Sequence, residues 1–104
     1  RASLARLVDD GQIENVYRIQ LMNATEQPLR LRIDVAGLEG ARIVAAPVAT
    51  VAPAEAHWIT LQVRVPYETV QQVRPGAHPI RFAVARDGEA EPLLHEKSTF
   101  IVPR

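Results

Sequence analysis

The stretch Leu29-Arg30-Leu31-Arg32-Ile33-Asp34-Val35 decides the fold class of this 104-residue chain. Its aliphatic residues occupy every second position, and a charged residue stands between each of them and the next. Because successive side chains on a strand point to opposite faces, this spacing predicts a β-strand with one buried face and one solvated face.

The same alternation recurs along most of the chain. We expect the following residues, which share parity within their strands, to be buried between two sheets: Tyr17, Ile19, Leu21, Leu31, Ile33, Leu61, Val63, Ile80, Phe82 and Val84. Less regular stretches predict a first strand in residues 3–8, a short edge strand in 41–45, an irregular crossing piece in 48–51 and a helical turn in 67–73. Thr99 to Val102 predict a last strand that ends at Pro103, which cannot donate to a ladder.

Turn residues separate these runs, as in Gly37-Leu38-Glu39-Gly40 and Asp87-Gly88. About seven short strands with regular turns favour an all-β fold, an immunoglobulin-like antiparallel β-sandwich. The chain has no cysteine and therefore no disulfide, and Trp58 is out of step with Ile59. In this respect the pattern is closer to fibronectin type III sandwiches than to antibody domains.

Composition excludes several function classes. Twelve basic and twelve acidic residues give a formal net charge of zero, which argues against a nucleic-acid partner. Without cysteine the chain has no thiolate for a zinc site or an iron–sulfur cluster. No apolar run is long enough for a membrane span. We expect residues 1–104 to form a single accessory domain and, since the sequence starts at Arg1 and not at Met, to be a fragment of a larger protein.

Neither catalysis nor metal binding is predicted. The two serines, Ser3 and Ser98, are not in a nucleophile elbow, so we expect no catalytic residue and no enzyme activity. His57 and His78 begin strands that run in opposite directions, which places them at opposite ends of a sandwich, with His95 nearer to His57. We therefore predict no metal site and no cofactor-binding residue in this chain.

Arginine is the notable feature of the surface. The chain has eleven arginines and one lysine, Lys97. Arg30 and Arg32 share a face, and Arg81 joins them if its strand lies in the same sheet. This arrangement predicts a docking patch for an acidic partner or a lipid headgroup, although a solvated sheet face explains the same arginines.

One block resembles a known family. Gly11 to Asn23, which contains Ile13-Glu14-Asn15 and Tyr17, resembles the start of the C-terminal immunoglobulin-like domain of the FixG/CcoG/RdxA proteins, the cytochrome oxidase accessory proteins. The resemblance continues through Val35 to Gly40, Val63 to Pro66 and Ser98 to Pro103, so it covers nearly the whole chain.

The resemblance implies a setting that this chain does not itself contain. Proteins of this family are bacterial inner-membrane proteins that carry two 4Fe-4S clusters in a ferredoxin-like part absent here. They are linked to copper handling and to maturation of cbb-type cytochrome c oxidase, and their C-terminal sandwich is expected on the periplasmic side. The resemblance thus implies a non-catalytic accessory domain with a protein partner in oxidase assembly, attached to the membrane through the rest of the protein.

Three functions remain open from the sequence. A docking domain requires an exposed apolar or arginine patch. A copper-binding surface requires His57, His95 and Met22 to converge. The third function is that of a structural spacer or a carbohydrate-binding sandwich. A carbohydrate-binding sandwich requires exposed aromatic platforms, and the alternation of the strands assigns most aromatic residues to the core.

Overall fold

The structure is a computed structural model that describes residues 4–45 and 48–104. Its elements, in chain order, are β1 (Leu4–Leu7), a 3-10 turn (Asp9–Gly11), β2 (Ile13–Met22), β3 (Leu29–Ala36), β4 (Arg42–Val44), β5 (Val48–Val51), β6 (Ala56–Val65), α1 (Tyr67–Gln72), β7 (Gly76–Arg86) and β8 (Pro92–Val102). No helix in these residues is long and apolar enough to cross a membrane.

The strands form two antiparallel sheets of four. Sheet A has the order β1-β2-β6-β4, and sheet B has the order β5-β3-β7-β8. The predicted β-sandwich is confirmed, with eight strands in the described residues where the sequence indicated about seven. Gly37 and Gly40 have φ angles of 133° and 74° in the turn after β3, as a plain turn requires.

The predicted core is confirmed for nine of its ten residues, and Ile19 is half-buried against them. At its centre the rings of Tyr17 and Phe82 pack edge to face, with centroids 5.1 Å apart. Ile13, Val51, Val65, Phe100 and Val102 complete the buried cluster. The alternation predicts this core correctly because each inward face is buried against the opposite sheet.

The prediction of an irregular piece at residues 48–51 is wrong. This segment is strand β5, which pairs with β3 through Leu29↔Val51 to Arg32↔Val48. Val51 is fully buried, so the segment contributes an inward side chain like any other strand. Edge pairing of this kind is a tertiary feature, and the four residues are too few to show it in sequence.

A row of charged residues crosses the outer face of sheet A. The register aligns Arg6, Glu14, Arg64 and Arg42 on β1, β2, β6 and β4. Glu14 is fully buried and accepts hydrogen bonds from Arg6 and Arg64 at 2.8 Å each. Burial alone would raise the pKa of Glu14, but these hydrogen bonds and charges hold it below its ordinary value. The ion pairs tie three strands together.

Candidate docking site

The three arginines predicted as a docking patch lie on the outer face of sheet B. Arg30 and Arg32 are on β3 and Arg81 is on the neighbouring strand β7. The register separates them, however, because Arg32 is opposite Ala85 whereas Arg81 is opposite Ala36. The face therefore has two separate basic regions about four residues apart along the strands, the first with Arg30 and Arg32 and the second with Arg81.

Acidic groups neutralise the first basic region, which consists of Arg30 and Arg32. Arg30 Nε donates to Asp87 at 2.7 Å, and Arg32 Nε donates to Asp34 at 3.1 Å. A second nitrogen of Arg32 donates to the Glu89 carbonyl oxygen at 3.1 Å. Because each of these guanidinium groups already has a carboxylate partner, little free positive charge remains here.

The second basic region consists of Arg81 and Lys97, which are directly opposite each other on β7 and β8. Both side chains are exposed, and in the described residues neither has a carboxylate within ion-pair distance. Like charges in a cross-strand pair destabilise a sheet. An anion placed between them would remove this repulsion.

Proline fixes the geometry of that pair. Antiparallel partners alternate between hydrogen-bonded and non-hydrogen-bonded pairs, and Pro79, opposite Thr99, has no N–H to give. Pro79–Thr99 is therefore a non-hydrogen-bonded pair, and so is Arg81–Lys97 two residues along. Side chains are closer in such pairs, which increases the repulsion between the two cations.

A shallow depression of about 220 Å³ adjoins this pair. Its lining includes the small residues Ala36 and Ala83 together with Asp34, Arg81 and His95. His95 is opposite Ala83, so its ring stands beside the depression on the same face as Lys97. Arg81 and Lys97 together define what we call the basic face.

The edge of β8 beside the basic face is partly closed by side chains of β2. The Asn15 amide donates to the Ile101 carbonyl oxygen at 3.0 Å and accepts from the Ile101 N–H at 2.8 Å. The Tyr17 hydroxyl donates to the Thr99 carbonyl oxygen at 2.7 Å, and burial raises the pKa of that phenol. Two side chains thus take the place of a neighbouring strand, and we call this region the closed half.

The other half of the same side is open. Between β2 and β8 lies a cleft of about 500 Å³, lined among others by Ile19, Leu21, Met22, Leu93 and Leu94. Met22, Leu93 and Leu94 are among the exposed large hydrophobic residues, with Met22 74% exposed. A volume in this range and a mostly apolar wall are typical of binding sites.

One buried polar atom in the cleft wall has no hydrogen-bond partner among the described residues. The hydroxyl of Ser98 is buried and makes no hydrogen bond within the part of the chain that the structure describes. Most buried polar groups in native proteins are hydrogen-bonded, so this hydroxyl is an exception at the boundary between the closed and open halves.

The residues considered for copper are divided between the sheets, with His57 and Met22 on sheet A and His95 on sheet B. His57 is opposite Leu21 at one end of sheet A, whereas His78 is opposite Phe100 at the other end of sheet B. Met22 lies one residue beyond Leu21, so strand alternation directs Met22 and His57 to opposite faces of sheet A. Residues 4–45 and 48–104 contain no group of three potential metal-binding His, Asp or Glu side chains.

Three of the five aromatic residues, Tyr17, Phe82 and Phe100, are buried in the core, which confirms the expectation that the core takes up most of them. Trp58 is 53% exposed and Tyr67 is 49% exposed. The parity of Trp58 directs it outward, where the Arg18 guanidinium lies 5.1 Å from its ring centroid. Tyr67 lies outside the strands, in α1, so alternation does not apply to it.

Sequence reasoning did not identify Lys97 or Leu94 as surface residues of interest. The sequence predicts a last strand that contains Thr99 to Val102, and the observed β8 spans Pro92 to Val102, with a register irregularity at Val84/Ala85. The parity of Lys97 relative to Phe100 was the available signal, but only the pairing with β7 places Lys97 opposite Arg81.

Fold and site together define a class: an immunoglobulin-like β-sandwich domain with an exposed basic face and an open cleft. Residues 1–103 match the family model described as "IG-like fold at C-terminal of FixG, putative oxidoreductase". The chain belongs to this family, as the resemblance in the block from Gly11 to Asn23 implied. A comparison with curated proteins found no match.

Two solved structures share the fold. The crystal structure of a FixG-related protein from Vibrio parahaemolyticus superposes with a TM-score of 0.72 at 21% identity, covering 88% of this chain and 80% of that one. The crystal structure of a protein from Archaeoglobus fulgidus gives a TM-score of 0.55 at 19% identity, covering 97% and 94%. At these identities the similarity concerns the fold alone.

Proposed function

We propose that this domain is a non-catalytic docking module of a FixG-type protein and that an acidic segment of a partner binds at the basic face. The observation that carries the proposal is the Arg81–Lys97 pair, two adjacent cations without a described carboxylate partner. A sheet gains nothing in stability from such a pair, so a binding role explains its presence better than folding does.

The family supplies the setting of the proposal. We further propose, as the resemblance to the FixG/CcoG/RdxA proteins implies, that the domain lies on the periplasmic side of a bacterial inner-membrane protein with two 4Fe-4S clusters. The partner would then be a protein engaged in the assembly of cbb-type cytochrome c oxidase and its copper supply. In this proposal the domain positions the partner, and the redox chemistry takes place in the rest of the protein.

Replacing one cation by an acid separates binding from folding. Arg81→Glu converts a repulsive cross-strand pair into an attractive one, so the free energy of unfolding should stay unchanged or rise by about 0.2–1 kcal/mol. In cells whose full-length protein carries Arg81→Glu, oxidase maturation should fall well below the wild-type level. Arg30→Glu is the matched control, because it makes the same charge change on the same face of sheet B.

The two variants give a clear decision. A loss of maturation with Arg81→Glu but not with Arg30→Glu supports docking at the basic face. Equal and normal maturation in both strains would show that these charges only keep the sheet face solvated, and the proposal would then be wrong.

A further inference from the structure

The open half of β8 presents backbone groups as well as an apolar cleft. Since Ile101 and Thr99 direct their free groups toward Asn15 and Tyr17, alternation directs the N–H and C=O groups of Lys97 and His95 to the same outer edge. No described strand pairs with this edge, because β8 is the last strand of sheet B. Unpaired edge groups are the usual template for an added strand.

We propose that an extended segment of the partner adds to β8 as a further strand along residues 93–97, with alternate side chains entering the cleft. The negative charge that we expect on this segment rests on the docking function proposed above. The edge groups and the cleft are observations independent of it.

Charges on the two faces of β8 define the chemistry of the segment. On the inward parity, Leu94 and Glu96 line the cleft, which favours apolar side chains and disfavours acidic ones there. On the outward parity, Lys97 and the neighbouring Arg81 favour an acidic residue. The segment should therefore alternate apolar and acidic residues.

The same charges argue against a second copy of this chain as the occupant. Two β8 edges paired antiparallel around Lys97 would bring the two copies of Lys97 directly together, each beside its own Arg81. An edge lysine is a common device against pairing between copies. An acidic strand meets no such repulsion.

The probe for this inference is the peptide acetyl-Asp-Val-Asp-Val-Asp-Val-amide, titrated into the 104-residue chain by calorimetry and followed by amide chemical shifts. We expect shifts at residues 93–97 and in the cleft residues Leu21 and Met22. In an antiparallel pair, directly opposite residues share a face, so the peptide amides that face β8 belong to the aspartates. N-methylation of the aspartates should abolish binding, whereas N-methylation of the valines should be tolerated.

The matched variants of the domain are His95→Pro and His95→Ala. His95 forms a non-hydrogen-bonded pair with Ala83, as Pro79 does with Thr99, so proline at position 95 removes only an outward N–H. His95→Pro should weaken binding at least about tenfold, and His95→Ala less than about twofold. Circular dichroism of both variants checks that the sandwich remains folded, and Leu94→Asp, a change at the half-exposed cleft wall, provides a second variant that should block binding.

The outcomes separate this inference from the proposed function. Equal binding of both N-methylated peptides, with loss of binding only in Arg81→Glu, would overturn strand addition and leave docking by charge. If N-methylation of the aspartates abolishes binding but Arg81→Glu leaves the affinity unchanged, strand addition is supported and the role of the basic face is contradicted. No binding of the unmodified peptide at millimolar concentration would overturn strand addition.

Discussion

On the side where β2 faces β8, the sandwich is closed in one half and open in the other. In the closed half the amide of Asn15 and the hydroxyl of Tyr17 satisfy backbone groups of Ile101 and Thr99. In the open half, Leu21, Met22 and Leu94 line a cleft, and no described side chain hydrogen-bonds to the edge of β8 there. Along the same two strands, one half therefore contributes hydrogen bonds that stabilise the sandwich, and the other half leaves a cleft and a strand edge accessible to a partner.

The difference originates in the block that resembles the family. Glu14 binds Arg6 and Arg64 within sheet A, while Asn15 and Tyr17 reach across to sheet B. These three residues of the motif therefore all have structural roles. The two cations suited to docking, Arg81 and Lys97, lie outside this block on β7 and β8, whereas Leu21 and Met22 of the block line the cleft.

The largest effect is expected where the two halves meet. Phe82 is 1% exposed, packs against Tyr17 and also lines the cleft. Phe82→Ala should lower the free energy of unfolding by about 3–5 kcal/mol, because the cavity it leaves cannot collapse fully. Urea denaturation followed by circular dichroism measures this change, and a nearly neutral result would contradict the assigned core.

Asn15→Ala breaks the closed half directly. It leaves a buried N–H and a carbonyl of Ile101 without their partner, at a cost of about 2–3 kcal/mol. The amide of Ile101 should then exchange its hydrogen much faster than in the wild type. Leu94→Ala in the open half is the control and should cost less than about 1 kcal/mol, since Leu94 is half-exposed. Equal costs in the two variants would remove the distinction between the halves.

Glu14→Gln tests whether the pairing within sheet A is electrostatic. At neutral pH it should cost about 1–3 kcal/mol through weakened hydrogen bonds to Arg6 and Arg64, which are themselves partly exposed. The folded-state pKa of Glu14 lies below its ordinary value of 4.5, so the stabilisation is full above that pH and declines as the pH falls through the folded pKa. The difference between wild type and variant should therefore shrink in acid, and a difference independent of pH would contradict the assignment.

The smallest effect is expected at the boundary of the two halves. Ser98→Ala removes a hydroxyl that has no described hydrogen-bond partner, so the free energy of unfolding should stay within about 0.5 kcal/mol of the wild-type value. The same denaturation measurement checks this. A loss above about 1 kcal/mol would mean that the hydroxyl has a partner after all.

The strands with strict alternation could be read from the sequence. The stretch from Leu29 to Val35 and the run from Ile80 to Val84 are on the faces that their parity predicts. The short strand β5 could not be predicted, because its strand state depends on pairing with β3. Local alternation is weak in such segments, and partner strands decide them.

The candidate site was predictable only in part. Arg30, Arg32 and Arg81 do share the outer face of sheet B, as the parity of their strands indicated. Whether these arginines have carboxylate partners did not follow from strand alternation, since Asp87, which pairs with Arg30, is 57 residues away in the chain. The use of the three arginines for docking stays a prediction.

The sequence determined which residues of the regularly alternating strands form the core, because inward and outward positions alternate along each strand regardless of its neighbours. It also determined that the chain offers no thiolate chemistry, since it has no cysteine. The register between β7 and β8 was decided by the tertiary structure alone. That register places Lys97 beside Arg81 and leaves one edge of β8 open, because contacts between strands far apart in sequence depend on how the two sheets assemble.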